Sequence, residues 1–308
     1  MSAFSSALYC SLEPEQDAAA LRQLRPILEA TGAELTIMGC VEEPSGLQRM
    51  FKRSGQVDQI VEAARGAERE RLERFAKRVH LDDADVRVDS GTAAIAIIHQ
   101  VLRAEHDLVV VGAGVETPHK ATIKRLLRKC PAPVWVIRPS RARKPRVMAA
   151  VNPEPAELDL NLDIMATAAT MHELAGGELH VVHAWELYGE DSLRYSAFMH
   201  LPEDDVEKML AQELEGRTQA LDELVASPSI ARWPWRKHLR KGRPAVAVVD
   251  AVADQKINLL VLGSVARGGI PGLVMGNTAE TILDKVTCSV LALKPDGFVS
   301  PIAHPNDG

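Results

Sequence analysis

Long hydrophobic runs, a secretion signal and an excess of basic residues are all missing from this 308-residue chain. No apolar run approaches the ~20 residues that a membrane-spanning helix needs, and the first residues lack the basic start and apolar core of a signal peptide. We therefore expect a cytoplasmic protein without a membrane partner. A net charge of −6 lacks the basic footprint that binding to phosphate backbones requires, so nucleic acid is not an expected partner either.

Residue groups that signal catalysis or metal binding are equally scarce. The four cysteines form no C-x-x-C pair, which argues against a disulfide framework and a zinc cluster. His180 and His183 fall in a predicted strand at a spacing that sends their side chains to opposite faces, so they do not share an ion. Ser264 follows a strand but lacks the flanking glycines of a nucleophile elbow. The sequence predicts no catalytic residue and requires no metal.

What the chain does contain is an internal duplication. DLVVVGA at 107–113 matches NLLVLGS at 258–264, and each is followed by a helical pattern and a β-rich run that ends in a basic residue and proline. Strands alternate with helices throughout, which predicts parallel β-α-β units with helices on both faces. We expect an α/β fold of two tandem, doubly wound, five-stranded parallel-sheet domains. Their predicted bounds are 1–140 and 145–297, with a tail at 298–308.

The two copies differ after the fourth strand of each repeat. Only the second copy has a glycine-rich run there, at 266–277, and the first copy is five residues shorter in this region. Ligands of open parallel sheets bind at the carboxyl ends of the strands, so this loop is the candidate site. Neither repeat has a G-x-G-x-x-G turn after its first strand. Gly263 and Gly268 have Walker A spacing, but Gly269 and Ile270 stand where lysine and Ser/Thr are needed.

Three features of the duplicated halves resemble the universal stress protein family over essentially the whole chain. They are the Gly-Ser after the fourth strand, the glycine-rich loop, and GNTAE at 276–280 opening the last helix. The resemblance implies the adenine nucleotide α-hydrolase-like fold and a non-enzymatic stress-response protein that binds ATP or a related nucleotide in its second domain. It also implies antiparallel pairing of the last strands of the two domains about a pseudo-twofold. Self-association into a homodimer is left open.

The family's ATP-binding pattern is matched only in part. Its members carry Gly-x2-Gly-x9-Gly followed by Ser or Thr; Gly263 and Gly276 match, whereas Ala266 and Asn277 depart from the pattern. A Cβ at Ala266 hinders a positive φ or a close phosphate approach, which neighbouring glycines could supply instead. The nucleotide-binding positions that the resemblance implies are Asn152, Val182, Gly263, Ser264, Ala266, Gly268, Gly269, Gly276, Asn277 and Thr278. The first half, with Glu13 after its first strand, is expected to have no nucleotide site.

Three questions stay open at this stage. Asn277 and Glu280 form a capping box, and the same helix start is equally suited to contact phosphate. Residues 185–200 hold four of the chain's twelve Phe, Trp and Tyr side chains and either pack on the core or form a lid or lining for a lipid-like ligand. The alternatives to a ligand-binding protein are a ligand-free scaffold and an ATP-hydrolysing enzyme of the related α-hydrolase superfamily, whose Ser-Gly-Gly-x-Asp-Ser motif is not present.

Overall fold

The structure is a computed structural model, and it describes residues 4–43, 54–142, 144–195, 201–264 and 277–303, without the side chains of residues 54–56 and 277. Strands and helices alternate along these ranges, as the sequence predicts. The strands are β1 (Ser6–Cys10), β2 (Glu34–Val41), β3 (Asp85–Ser90), β4 (Leu108–Gly112), β5 (Val134–Ile137), β6 (Val147–Ala150), β7 (Leu179–Trp185), β8 (Arg236–Lys241), β9 (Leu259–Gly263) and β10 (Ser289–Leu293). The helices are α1 (Pro14–Thr31), α2 (Ser54–Arg78), α3 (Ala93–Ala104), α4 (Lys120–Lys129), α5 (Leu158–Ala175), α6 (Glu190–Tyr195), α7 (Glu203–Val225), α8 (Pro244–Asp254) and α9 (Asn277–Lys285).

The chain forms two compact units. The first contains the residues up to Arg141 and the segment from Thr287 onward, and its strands run in the order β3-β2-β1-β4-β5-β10. The first five strands are parallel, and β10 is antiparallel to β5. β1 lies in the middle, with β2 on one side and β4 on the other, so the strand order reverses at β1.

The second unit begins at Ala142 and includes α9, and its parallel strands run in the order β9-β6-β7-β8. Here β6 lies between β7 and β9, with Val147 opposite both Leu179 and Leu259. The strand order therefore reverses at β6. The outermost strand, β8, has the sequence RKHLRK, and its charged residues are those that discourage an exposed edge from pairing with another chain.

The antiparallel pairing expected of the last strands is present. Val290 of β10 lies opposite Val136 of β5, and Ala292 lies opposite Val134. Because of this pairing β10 belongs by its contacts to the first unit, although in the sequence it closes the second repeat. The compact units thus differ from the predicted boundaries of 1–140 and 145–297.

The core consists of short apolar strands covered by the apolar faces of helices. Every residue of β4, β5 and β10 is buried, as expected for strands that have helices on both faces. In α3 the stripe predicted from the sequence is buried at Ala94, Ile97, Ile98 and Val101. Within the described residues, no helix is long and apolar enough to cross a membrane.

The described part of the aromatic segment, 185–195, divides into a packed part and an exposed part. Trp185 packs with Val206 and Leu210 of α7, joined by partly buried leucines. In contrast, Tyr188 and Tyr195 are 98% and 78% exposed. Core packing therefore accounts for Trp185 but not for the tyrosines. Residues 196–200, including Phe198, lie outside the described residues.

Candidate functional site

The second unit contains a cavity of about 290 Å³ at the carboxyl ends of its central strands. We call it the β6–β9 cavity. The residues that line it are Ala150, Val151, Asn152, Glu157, Leu160, Asn161, Ile164, His183, Ala184, Pro244, Val248, Leu262, Gly263, Ser264, Thr278, Ala279 and Ile282. Helix α5 packs against β6 and β9, whereas α8 packs against β7, β8 and α9. Because the strand order reverses at β6, the connecting helices diverge there and leave a crevice.

Four of the predicted site residues meet in the β6–β9 cavity. Asn152 follows β6, Gly263 and Ser264 end and follow β9, and Thr278 is the second residue of α9. A Cβ on Gly263 would lie 3.0 Å from Cδ2 of Leu160 on α5, so a larger residue there would require the leucine to shift. Four residues predicted at two strand ends and at one helix start therefore line the same cavity.

Val182 is not among the residues that line the cavity. Its side chain is fully buried, and its carbonyl oxygen accepts a hydrogen bond from the Val151 N–H at 3.0 Å. The next two residues, His183 and Ala184, line the cavity instead. Residues 265–276, which include Ala266, Gly268, Gly269 and Gly276, lie outside the described residues, as does the Asn277 side chain.

Asn161 holds the backbone at the end of β6, a role that the sequence reading did not identify. Its Oδ1 accepts from the Asn152 N–H at 3.1 Å, and its Nδ2 donates to the Asn152 carbonyl at 2.5 Å. Only 2% of Asn161 is exposed. Both main-chain groups of Asn152 are therefore held without the Asn152 side chain. The available signal was a polar residue within the buried stripe of α5.

His183 was also missed, and its protonation state follows from its contacts. Nδ1 lies 3.2 Å from the Val151 carbonyl oxygen. A carbonyl only accepts, so Nδ1 carries the hydrogen. Burial lowers the pKa of His183 and so favours the neutral ring, and the hydrogen bond to the Val151 carbonyl offsets part of this effect. Nε2 is then an acceptor, and it is buried without a hydrogen-bond partner among the described residues.

The two histidines of β7 have separate surroundings, as their spacing predicted. His180 Nδ1 lies 2.8 Å from Nε2 of His238, and the two rings are stacked. His183 instead reaches Val151. Across the described ranges, no group of three or more His, Cys, Asp or Glu side chains is placed to hold a metal ion.

The start of α9 supplies the positive end of a helix at the rim of the β6–β9 cavity. The first N–H groups of a helix have no partner within the helix, and its dipole favours an anion at this end. Thr278, in the first turn, is exposed and lines the cavity. A phosphate or carboxylate at this rim would gain from both effects.

In the first unit, side chains fill the corresponding crevice between β1 and β4. Glu13, which follows β1, is 5% exposed, and its Oε2 accepts from the N–H of Gly114 at 3.2 Å. Gly114 follows β4, so the carboxylate bridges the two strand ends. The hydroxyl group of Tyr9 lies next to Gly112 at the end of β4, because a Cβ on Gly112 would fall 2.8 Å from its oxygen. A carboxylate of the protein thus lies between the ends of β1 and β4, the strands that correspond to β6 and β9.

Asp17 of α1 connects the end of β1 to helix α2 through buried polar contacts. Its carboxylate is fully buried and accepts from the Tyr9 hydroxyl at 2.8 Å and from the Ser11 hydroxyl at 2.5 Å. Arg71 of α2 lies 3.7 Å from it and donates to Ser11 at 2.7 Å. Burial raises the pKa of Asp17, and the hydrogen bonds from Ser11 and Tyr9 act in the opposite direction. Four side chains therefore form one connected polar network beneath the strand ends.

The fold and the cavity define a class: open-sheet α/β proteins with a ligand-sized crevice where the strand order reverses. Comparison with known proteins gives the family. The model of the "Universal stress protein family" matches residues 8–138 and 147–294, which is most of the chain. The chain belongs to this family, and the two matches correspond to the two copies of the internal duplication.

Individual relatives agree with this assignment. The chain is 28% identical to universal stress protein E of Salmonella typhi over 225 residues, which is 67% of this chain and 66% of that protein, just under two thirds of its length. It is 27% identical to the universal stress protein E homolog of Haemophilus influenzae over 274 residues, 85% and 86% of the two chains.

Solved structures support the fold alone. A universal stress protein from Pseudomonas aeruginosa UCBPP-PA14 has a TM-score of 0.66 at 22% identity, covering 96% of this chain and 95% of its own. One from Archaeoglobus fulgidus has a TM-score of 0.62 at 14% identity, covering 95% and 96%. The tandem α/β architecture predicted from the sequence is confirmed.

Proposed function

We propose that this protein is a cytoplasmic, non-enzymatic stress-response protein that binds ATP or a related nucleotide in the β6–β9 cavity. The observation that carries this proposal is the position of the cavity. It opens where the strand order of the second unit reverses, and the start of α9 lies at its rim. Strand reversal gives room for a nucleoside, and a helix N-terminus attracts its phosphates.

The lining suggests how the ligand would be oriented. Ser264, which follows β9, and Thr278, in the first turn of α9, line the cavity and offer hydroxyl groups to a phosphate. Ala184 and Val248 line the part beside β7 and α8, which offers an apolar wall for a base. Between them, the Asn152 side chain can hydrogen-bond a sugar hydroxyl. The residues proposed to bind are those implied by the family, with His183 and Ala184 taking the place of Val182.

The first unit is proposed to have a structural role. Glu13 already supplies a carboxylate to the Gly114 N–H, and Tyr9 and Asp17 fill the space beneath. A ligand there would have to displace a buried carboxylate and break a connected hydrogen-bond network. We therefore propose one nucleotide per chain.

The direct test is native mass spectrometry of freshly purified protein, followed by ATP titration and an assay for released phosphate. One bound nucleotide per chain and no turnover would support the proposal. Sustained phosphate release would overturn the non-enzymatic part. A protein that carries no bound mass and shows no saturable binding would be the ligand-free scaffold.

A variant locates the site. Asn152→Ala removes only the side chain, because the backbone of Asn152 is held by Asn161. We expect an unchanged melting temperature and ATP binding weakened about 3- to 10-fold, the range for one lost hydrogen bond. Unchanged binding would place the nucleotide away from the end of β6.

A further inference from the structure

The β6–β9 cavity is lined by a glutamate whose carboxylate no group in the described part of the protein binds. Glu157 immediately precedes α5, and its side chain makes no hydrogen bond or ion pair with a described residue. The residue is partly exposed, and its carboxylate oxygens, unlike Nε2 of His183, are not buried. With His183 neutral, Glu157 carries the one formal charge among the described residues that line the cavity.

Support of helix α5 does not account for this glutamate. Glu157 lies at the position where a side chain can cap the helix, but it makes no capping hydrogen bond. Its charge gains little from the helix dipole, and Asp159 already places a carboxylate in the first turn. The fold therefore leaves both carboxylate oxygens of Glu157 available to another molecule.

The first unit has a glutamate at the corresponding position. Glu13 and Glu157 each immediately precede the helix that follows the first strand of their unit. The residue seven positions further along that helix, Ala20 or Ile164, lies beside the glycine that ends the fourth strand of the unit. The two glutamates therefore occupy equivalent places in the two repeats.

The contact of Glu13 shows what a carboxylate at this place accepts. Glu13 is 5% exposed, and its Oε2 accepts a hydrogen bond from the Gly114 N–H at 3.2 Å. Glu157 has no such donor among the described residues, and it lines a cavity. In the second unit the donor can therefore belong to a bound molecule.

The charge of Glu157 decides which part of a nucleotide suits it. A carboxylate only accepts hydrogen bonds, and it repels phosphate groups. Phosphates are favoured at the start of α9, where the helix dipole attracts anions. The uncharged nucleoside, which offers ribose hydroxyls and in adenosine an exocyclic amine as donors, is therefore the part that matches Glu157.

We propose that the carboxylate of Glu157 accepts hydrogen bonds from hydroxyl or amine groups of the nucleoside, and that it thereby selects among nucleotides that carry the same phosphates. This inference rests on the proposed function. An analogue that presents a carbonyl in place of the donor, or no polar group at all, leaves the carboxylate without its partner and binds more weakly.

The test compares the wild-type protein with Glu157→Gln and with a matched control, Glu13→Gln, which makes the same chemical change at the equivalent position of the first unit. Isothermal titration measures the binding of ATP, of inosine triphosphate, in which a carbonyl replaces the exocyclic amine, and of 2′,3′-dideoxy-ATP, which lacks the ribose hydroxyls. All three ligands carry a triphosphate, so the ratio of two affinities is independent of the repulsion that Glu157→Gln also removes. Thermal unfolding shows that the variants are folded.

We expect the wild-type protein to bind one of the two analogues about tenfold more weakly than ATP. Glu157→Gln should reduce this preference to about threefold or less, because a neutral amide oxygen accepts a weaker hydrogen bond than a carboxylate. Glu13→Gln should keep the wild-type preference. The analogue that binds more weakly identifies the donor as a ribose hydroxyl or the base amine.

The inference is overturned if the wild-type protein binds ATP and both analogues equally well, or if Glu157→Gln keeps the wild-type preference within about twofold. It is also overturned if Glu13→Gln loses the preference to the same extent as Glu157→Gln. In each of these cases ATP still binds, so the proposed function stands. If the wild-type protein binds none of the three nucleotides, the proposed function fails and this inference fails with it.

Discussion

The charge at the start of α9 provides the sharpest test of where the phosphates bind. Thr278→Glu places a carboxylate at the second position of this helix, on an exposed residue that lines the β6–β9 cavity. The change should not harm the fold. A carboxylate in the first turn of a helix interacts favourably with the dipole, by about 0.3 to 1 kcal/mol.

The same carboxylate should oppose a bound phosphate. Two like charges about 5 Å apart repel by about 1 to 3 kcal/mol for effective dielectric constants between those of water and of a protein surface. ATP binding should therefore weaken about 5- to 150-fold while the melting temperature holds or rises. General damage to the fold would weaken ATP binding and lower the melting temperature together, so weaker binding at an unchanged or higher melting temperature points to repulsion of the phosphate.

The first unit offers a matched control for this variant. Ala121 is the exposed second residue of α4, the helix that corresponds to α9. Ala121→Glu makes the same change in net charge at the same position of that helix. Isothermal titration with ATP and thermal unfolding are measured for both variants. ATP affinity within twofold of the wild-type value in Thr278→Glu, or equal weakening in Ala121→Glu, would refute phosphate binding at α9.

Two further predictions concern stability. Tyr9→Phe removes one donor from the buried Asp17 carboxylate and should lower the free energy of unfolding by about 1 to 3 kcal/mol in urea titrations; an unchanged midpoint would show that the network is not needed. Burial lowers the pKa of His180, His183 and His238. The unfolded chain therefore binds more protons below its histidine pKa of about 6.5, and stability should fall as the pH drops from 7 toward 5. A flat stability profile over this interval would contradict the assignment of neutral rings.

The repeat, the strand and helix order and the strand-end residues that line the β6–β9 cavity were readable in the sequence. These features rest on local signals: apolar runs, helical periodicity and a repeated Gly-Ser after a strand. Asn152, Gly263 and Ser264 were found because a residue that follows a buried strand must lie at the edge of the sheet. The short helix α6 lacked such a signal, and the sequence reading left it inside the aromatic segment.

The residues that the sequence reading missed depend on distances between elements. Which residue at the end of β7 meets the cavity depends on its register with β6, and the structure selects His183 and Ala184 over Val182. Asn161 belongs to a helix, and its contact with Asn152 exists only once α5 packs against the sheet. A single strand or helix taken from the sequence contains none of these contacts.

The family and the α/β class were determined by the sequence alone, because both follow from patterns within a few residues of each other that recur along the chain. Only the tertiary structure decided the difference between the two copies in detail. Side chains from β1, α1 and α2 form a buried network around Asp17 at the first crevice, whereas diverging helices leave the second one open. Both outcomes depend on packing between segments that are far apart in the chain.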